Sequence, residues 1–168
     1  FGRIAQAVAQ KAHFGFGMEV SFYDPYPPSD EIVKKFSAKK FDTLEDVLKD
    51  SDYVTLHCPG GGDNINLMNK ERFALMKKSA FLINTARGDV VDETALVQAL
   101  KDKVIAGAGL DVYAKEPVVT EELLNMQNVV LIPHLGSATT ETRVAMGLRS
   151  LENVEAFFNG KEPGDRVA

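Results

Sequence analysis

"FGRIAQAVAQ", residues 1–10, is the stretch on which the fold turns. A glycine at position 2 leads straight into a helical run, and the small residue Ala5 follows three positions later. This is the form of the back half of G-x-G-x-x-G/A. There the second glycine lets the backbone approach a pyrophosphate, and the third small residue lets the helix pack closely on a strand. In that reading Gly2, Arg3 and Ile4 turn backbone toward phosphate at a helix N-terminus, where orphan amides and the helix dipole favour an anion. A glycine before a helix is also an ordinary turn, and the first glycine of the pattern would lie before Phe1. Asp24 favours the first reading. It closes the next predicted strand and lies 19 residues past Ala5, where the fingerprint places an acid for the adenosine ribose hydroxyls. Without Gly2 and Ala5, Asp24 would read as a turn aspartate before proline.

Working outward, "MEVSFY" at 18–23 alternates and carries β-formers, so it is predicted as a strand. The prolines of "DPYPPSD" end it. "EIVKKF" and "AKKF" predict a short helix and a short strand. "TLEDVLKD" at 43–50 predicts a helix capped by Thr43, and "YVTLH" at 53–57 a buried strand. Asn69 and Asp92 are predicted to cap the helices "KERFALMKK" and "ETALVQALKD". "AFLINTA" at 80–86, the glycine-rich "VIAGAGLDVY" at 104–113 and "NVVLIP" predict three further strands. From Ala138 the spacing of Val144, Leu148, Leu151, Val154 and Phe158 predicts a long helix running to about Asn159. Strands alternating with helices imply an α/β fold with a parallel sheet, and in such sheets ligands bind at the carboxyl ends of the strands. Asp24, His57, Thr85-Ala86-Arg87, Asp111 and His134 all fall at those ends.

Composition narrows the function. The 168 residues are 45% hydrophobic and 26% charged, ordinary for a globular chain. Nineteen Lys and Arg against 24 Asp and Glu give a net charge of −5, which disfavours nucleic acid and anionic membrane as partners. The lone cysteine, Cys58, rules out an internal disulfide and suits a reducing, cytoplasmic compartment. No cationic residue or second cysteine neighbours Cys58 in sequence, so a reactive thiolate is not expected. The three histidines do not cluster with other ligands, and no metal site is predicted. His13 precedes an irregular "FGFG" and is expected at the surface.

His57, in "HCP", is either catalytic or, as the position favours, a pocket residue beside the adenosine half of a cofactor together with Cys58 and Pro59. Arg87, in "INTARGDVVDE", directly follows a buried strand. It is either a bidentate fork for a carboxylate or the ion-pair partner of Asp89 or Asp92. Gly88 after it permits a tight turn. Glu116 in "AKEP" and His134 in "IPHLGSAT" are 18 residues apart, each near a strand end. A carboxylate beside an imidazole fixes its tautomer and favours the protonated ring, which makes a general acid for a carbonyl under reduction. A lone histidine is otherwise an ordinary loop residue. The convergence of Arg87, Glu116 and His134 from successive strand ends argues for the site.

With "FGRIAQAVA", "YDPY", "LHCP", "INTARGDVVDETALVQAL", "IAGAGLDVYAKEP" and "NVVLIPHLGSAT" in order, the chain resembles the D-isomer-specific 2-hydroxyacid dehydrogenase family, with a lean toward glyoxylate or hydroxypyruvate reductases. The resemblance implies a doubly wound, Rossmann-type sheet and NAD as cofactor. It implies a homodimer and a small 2-oxoacid or 2-hydroxyacid as substrate. It further implies that Arg87 binds the substrate carboxylate and polarises its carbonyl. His134 is then the general acid/base, Glu116 orients it, and Asp111 holds the nicotinamide carboxamide. The implied cofactor-facing set is Gly2, Arg3, Ile4, Asp24, His57, Cys58, Pro59, Thr85, Ala86, Asp111 and Gly136. Two departures stand out. "PGGGDNINLMN" replaces the "PLTPET"-type run that borders the adenosine pocket, and most of the family's substrate domain has no counterpart.

The expected organisation is therefore an incomplete dinucleotide-binding domain over 1–159 that lacks its first, central strand. Residues 160–168 would begin a return toward an absent substrate domain. On this expectation the strands at 18–23 and 53–57 each keep an unpaired edge that invites another chain. The isolated chain then turns over no 2-oxoacid and binds NAD weakly. Two other readings stay open: an NAD-sensing, corepressor-like binding protein on the same fold, and an inactive fragment.

Overall fold

The computed structural model describes residues 1–166 of the chain. It divides into two compact units, Phe1–Pro133 and His134–Ala168. The first unit opens with α1 (Arg3–Gln10), which continues through a π-helical turn, Lys11–Gly15. Then come β1 (Ser21–Phe22), α2 (Asp30–Lys35), β2 (Lys39–Lys40), α3 (Leu44–Asp50) and β3 (Tyr53–Leu56). After a short 3₁₀ turn follow α4 (Lys70–Phe73), β4 (Phe81–Asn84), a second 3₁₀ turn (Gly88–Val90), α5 (Glu93–Lys101), β5 (Gly107–Leu110), α6 (Glu121–Leu124) and β6 (Val129–Leu131).

Every strand pairing is parallel. β1 pairs with β2, and a separate sheet runs β3-β4-β5-β6. This is a Rossmann-type α/β arrangement with an interrupted sheet: among the described residues no strand joins β1 to β3. The predicted strand at 18–23 accordingly shortens to Ser21–Phe22, because its only ladder is with Lys39–Lys40. Phe1 lies against the same end of β1, its ring stacked on Phe22 at 4.5 Å.

Local chemistry starts the helices where the sequence indicates. Thr43 Oγ1 accepts from the Asp46 amide at 3.2 Å, Asn69 Oδ1 from Arg72 at 3.0 Å, and Asp92 Oδ1 from Ala95 at 3.0 Å. Each satisfies an amide that the first helical turn leaves without a partner. α4 is shorter than predicted. After Phe73 the chain tightens into bonds from the Leu75 amide to the Arg72 carbonyl and from Met76 to Phe73.

The core lies between the four-stranded sheet and its helices. Leu48, Met68, Phe73, Leu82, Leu96 and Ile105 are at most 1% exposed there. Removing such side chains from water is worth about 1.5–3 kcal/mol each, so this cluster anchors the sheet that carries the site. Gly107 opens β5 because a Cβ there would meet the Asn128 carbonyl oxygen at 2.5 Å and the Phe81 ring at 2.9 Å.

The second unit is built on α7 (Thr140–Phe158), capped by Thr139 Oγ1, which accepts from the Thr142 amide at 3.2 Å. Arg149 and Asn153 on α7 bind the Asp165 carboxylate and so fasten the segment that follows the helix. Among the described residues no helix is long and apolar enough to cross a membrane.

Candidate functional site

Gly2 is the N-cap of α1 with extended backbone, and no side chain caps the helix. The first turn carries no acidic residue, and a Cβ built at Gly2 would meet nothing within 4 Å. The first amides of α1 are thus uncapped by any side chain, as an anion at a helix N-terminus requires. Arg3 and Ile4 are exposed. Asp24 follows β1 and lies beside this turn. Its carboxylate pairs with the Phe1 ammonium, and its Oδ1 accepts from the Tyr26 amide at 2.8 Å. A carboxylate one residue's reach from the glycine turn fits the ribose of a dinucleotide whose phosphates rest on α1.

His57, at the end of β3, is half-buried, and its Nε2 shares a hydrogen bond of 3.1 Å with Thr55 Oγ1. Burial pushes its pKa below the usual histidine value, and the nearby Phe1 ammonium pushes the same way. Cys58 is half-buried as well. Burial pushes its thiol up, its backbone hydrogen bond opposes that, and the Asp89 charge adds to the rise. A raised thiol pKa leaves little thiolate, in keeping with the sequence reading. Pro59 is exposed, and its carbonyl accepts from Asn64 Nδ2 at 3.1 Å.

The glycine run that departs from the family pattern lies over Arg87. A Cβ at Gly60 would meet Asp89 Oδ1 at 2.7 Å and the Cβ and Cγ of Arg87 at 3.0 Å. Asp89 Oδ2 accepts from the Gly61 amide at 2.8 Å, while Asp89 Oδ1 is buried without a hydrogen-bond partner.

The turn after β4 is held from below. Asn84, 1% exposed, accepts from the Ala86 amide at 3.0 Å through Oδ1 and donates to the Arg87 carbonyl at 2.9 Å through Nδ2. Thr85 and Arg87 are exposed and Ala86 is buried between them. Arg87 Nη1 donates to the Ala86 carbonyl at 2.6 Å. Neither acidic rival uses its bonded oxygen on Arg87: Asp89 takes the Gly61 amide and Asp92 caps α5.

Gly88 has a different role from the one its sequence position suggests. Its φ is not positive, so the turn alone does not require glycine. A Cβ there would lie 1.9 Å from the Tyr113 carbonyl carbon, 2.0 Å from its oxygen and 2.5 Å from the Ala114 nitrogen. The Arg87 loop therefore rests backbone to backbone on the loop after β5. That second loop carries Asp111, Tyr113 and Glu116. Asp111 is 2% exposed, and its amide donates to the Asn84 carbonyl at 2.9 Å. Tyr113 is buried, and its hydroxyl donates to the Ile132 carbonyl at 2.9 Å, just after β6. Burial foremost, then the Asp111 charge, pushes the Tyr113 pKa up. Glu116 is exposed and its Oε1 accepts from the Tyr113 amide at 3.1 Å.

His134 and Gly136 belong to the second unit, which His134 opens. His134 is exposed with φ at +52°. A non-glycine residue held in the left-handed region is uncommon, and such strain gathers at functional positions. The structure thus sets Gly2 and Asp24 together at one sheet end, and Arg87 against the Asp111–Glu116 loop at the next. Asn84, Gly88 and Tyr113 support these loops, a role the sequence did not single out. Gly88 carried the local signal of a turn, and Asn84 that of a polar residue directly before it.

Comparisons with known proteins identify relatives of the chain. The family described as "D-isomer specific 2-hydroxyacid dehydrogenase, NAD binding domain" matches residues 1–136. The chain is 49% identical over 163 residues to the glyoxylate reductase of Thermococcus kodakarensis, covering 97% of this chain and 48% of that protein. The holo form of D-mandelate dehydrogenase from Rhodotorula graminis superimposes with a TM-score of 0.93 at 35% identity, over 99% of this chain and 50% of that one. An NADPH-dependent glyoxylate/hydroxypyruvate reductase from Sinorhizobium meliloti, in complex with NADP and malonate, gives a TM-score of 0.92 at 35% identity, over 99% and 50%. The chain spans about half the length of the curated relatives it matches.

Proposed function

Because the chain belongs to the D-isomer-specific 2-hydroxyacid dehydrogenase family, as its NAD-binding domain, we propose that it is the cofactor half of an oxidoreductase. The enzyme interconverts a small 2-oxoacid, of the glyoxylate or hydroxypyruvate type, and the D-2-hydroxyacid. The observation that carries this reading is the seating of Arg87. Asn84 fixes its turn, and Gly88 sets that turn directly on the loop bearing Asp111 and Glu116. An exposed guanidinium on a rigid strand end is suited to a substrate carboxylate.

Bound NAD(H) supplies the hydride exchanged between nicotinamide C4 and substrate C2. The protein's residues supply the rest. Arg87 grips the substrate carboxylate and draws charge toward the carbonyl oxygen. His134 gives that oxygen its proton in reduction and removes it in oxidation, and Glu116 favours the protonated ring. The buried Asp111 orients the carboxamide. Gly2, Arg3 and Ile4 receive the pyrophosphate on α1. His57, Cys58 and Pro59 border the adenosine, and Thr85, Ala86 and Gly136 complete the cofactor-facing set.

Asp24 argues for NAD(H) over NADP(H). Its carboxylate accepts from two ribose hydroxyls but repels a 2′-phosphate, and "DPYPPSD" offers no arginine to receive one. Relatives differ in this choice, since the Sinorhizobium meliloti structure holds NADP. The working enzyme is read as a cytoplasmic homodimer.

The test is a steady-state assay of the enzyme containing this chain, with NADH and glyoxylate or hydroxypyruvate. His134→Ala should lower kcat by about 10²–10⁴-fold, the usual worth of a positioned acid–base group. Arg87→Ala should raise KM for the 2-oxoacid as well as lower kcat. Glu116→Gln should move the pH profile of reduction to lower pH. An enzyme that oxidises no NADH with these acids, or is indifferent to His134→Ala, refutes the reading.

A further inference from the structure

We propose that Glu93 is a positioning residue for this reaction: from the first turn of α5 it clasps the loop that carries Glu116. The inference rests on the proposed function and adds a residue to its machinery.

The geometry is bidentate. Glu93 Oε1 accepts from the Ala114 amide at 2.7 Å, and Oε2 accepts from Thr120 Oγ1 at 2.6 Å. One carboxylate therefore holds both ends of the segment 114–120, and Glu116 lies inside it. Within the clasp the segment is pinched once more, where the Val118 amide donates to the Lys115 carbonyl at 2.9 Å. Glu116 folds back to accept from Tyr113 at 3.1 Å, the residue just before the clasped amide. Gly88 backs the same peptide from the Arg87 side. Ala114 is thus fixed from two directions, by a carboxylate and by a glycine that admits no side chain.

An acid in a first helical turn has an ordinary explanation, since it complements the helix dipole. Here that duty is already met. Asp92 caps α5 through the Ala95 amide. The Glu93 oxygens point instead to partners 21 and 27 residues away, both outside the helix. Hydrogen bonds to a charged acceptor are stronger than neutral ones, and two in parallel fix direction as well as distance.

The clasp needs two hydrogen bonds rather than the charge itself. A glutamine at position 93 can still accept from Ala114 and, because a hydroxyl also accepts, donate to Thr120. Leucine can do neither. In the enzyme containing this chain, Glu93→Leu should lower kcat for 2-oxoacid reduction by about tenfold or more, since misplacing a catalytic group by about 1 Å can cost on the order of 10²-fold. KM for NADH should not change, and Glu93→Gln should keep most of the activity. If Glu93 acts through Glu116, the losses do not multiply. Adding Glu93→Leu to Glu116→Gln should cost less than about twofold more. Activities are compared per NADH-binding site, so partial unfolding does not count as loss.

Should Glu93→Leu fail to fold, Thr120→Val removes one arm of the clasp at the loop end and Thr120→Ser restores it. A fall of a few-fold in kcat, rescued by serine, supports the proposal. Amide exchange at Ala114 gives a readout without turnover: it should speed up in Glu93→Leu and Thr120→Val and stay slow in Glu93→Gln. An active wild type in which Glu93→Leu and Glu116→Gln multiply fully, or in which Ala114 exchange and kcat are untouched, overturns the clasp alone. A wild type without turnover overturns the reaction proposed above and the positioning role with it.

Discussion

Replacing Gly88 with alanine tests the joint on which the site is built. An ideal Cβ there falls 1.9 Å from the Tyr113 carbonyl carbon, 2.0 Å from its oxygen and 2.5 Å from the Ala114 nitrogen. Ordinary van der Waals contact is 3.4–4 Å. The obstructing atoms are backbone, so no side chain can swing aside. The Arg87 turn and the Tyr113–Glu116 loop must move apart, although Asn84 holds the first and Glu93 the second. Overpacking a rigid site costs about 1–3 kcal/mol, occasionally more, and a clash with backbone belongs at the upper end. At about 3 kcal/mol a chain of this size should lose roughly 6–12 °C in melting midpoint. The assay is thermal melting followed by circular dichroism. Gly2→Ala is the control: its backbone is ordinary and a Cβ there meets nothing within 4 Å, so its midpoint should stay near that of the wild type. If Gly88→Ala melts within about 2 °C of the wild type, the two loops do not touch as described and the rigid seating of Arg87 is wrong.

Other consequences follow from the same geometry. On the role proposed for Asp24, the enzyme should bind NADH more tightly than NADPH in calorimetry and Asp24→Ala should narrow the difference; tighter NADPH binding in the wild type would contradict that role. His57 should titrate below the usual 6.5 when followed by NMR. The unfolded chain then takes up a proton where the folded chain does not, so stability should fall as pH drops below about 6.5 and rise with pH across that window, and His57→Gln should flatten the dependence seen in urea midpoints. Asp89→Asn removes a charge that raises the Cys58 pKa. Iodoacetamide should then alkylate Cys58 several-fold faster, though burial, the larger cause, keeps it slower than an exposed thiol.

The parts of the fold that were legible in the sequence are those whose causes are local. Thr43, Asn69 and Asp92 each bond an amide three residues on, so the residue and its effect share one short window. The long helix was legible for the same reason: its period repeats within itself, and it spans Thr140–Phe158. Strand lengths were not local. "MEVSFY" has the composition of a strand throughout, yet only Ser21 and Phe22 pair in a ladder. "VIAGAGLDVY" likewise keeps only Gly107–Leu110, where β4 and β6 flank it. A strand is as long as its neighbours allow, and neighbours are set by the whole chain. The π-helical turn at Lys11–Gly15 also escaped, since nothing in "KAHFG" distinguishes it from a fraying helix end.

The candidate site divides along the same line. Its chemistry-bearing residues follow apolar runs, and position alone offered Asp24, Arg87 and Asp111 as residues at strand ends. The residues that hold them could not be found that way, because their partners are remote in sequence. Gly88 reads as a turn glycine until the Tyr113 backbone is found against it. Glu93 reads as a dipole complement until Asp92 is seen to cap the helix and the carboxylate of Glu93 is found on Ala114 and Thr120. Asn84 is the intermediate case, since its bonds stay within three residues but its burial comes from the sheet. Position along the chain therefore identifies groups that can react, while the tertiary contacts identify the groups that fix their geometry. On the proposed function, a substitution at Arg87 removes a reacting group, whereas one at Gly88 or Glu93 leaves every reacting group in the chain and displaces it. Because displacement by about 1 Å is already costly to a reacting geometry, Arg87 and Gly88 should both prove intolerant of change, for opposite reasons, while position 93 should tolerate only a residue that keeps both hydrogen bonds.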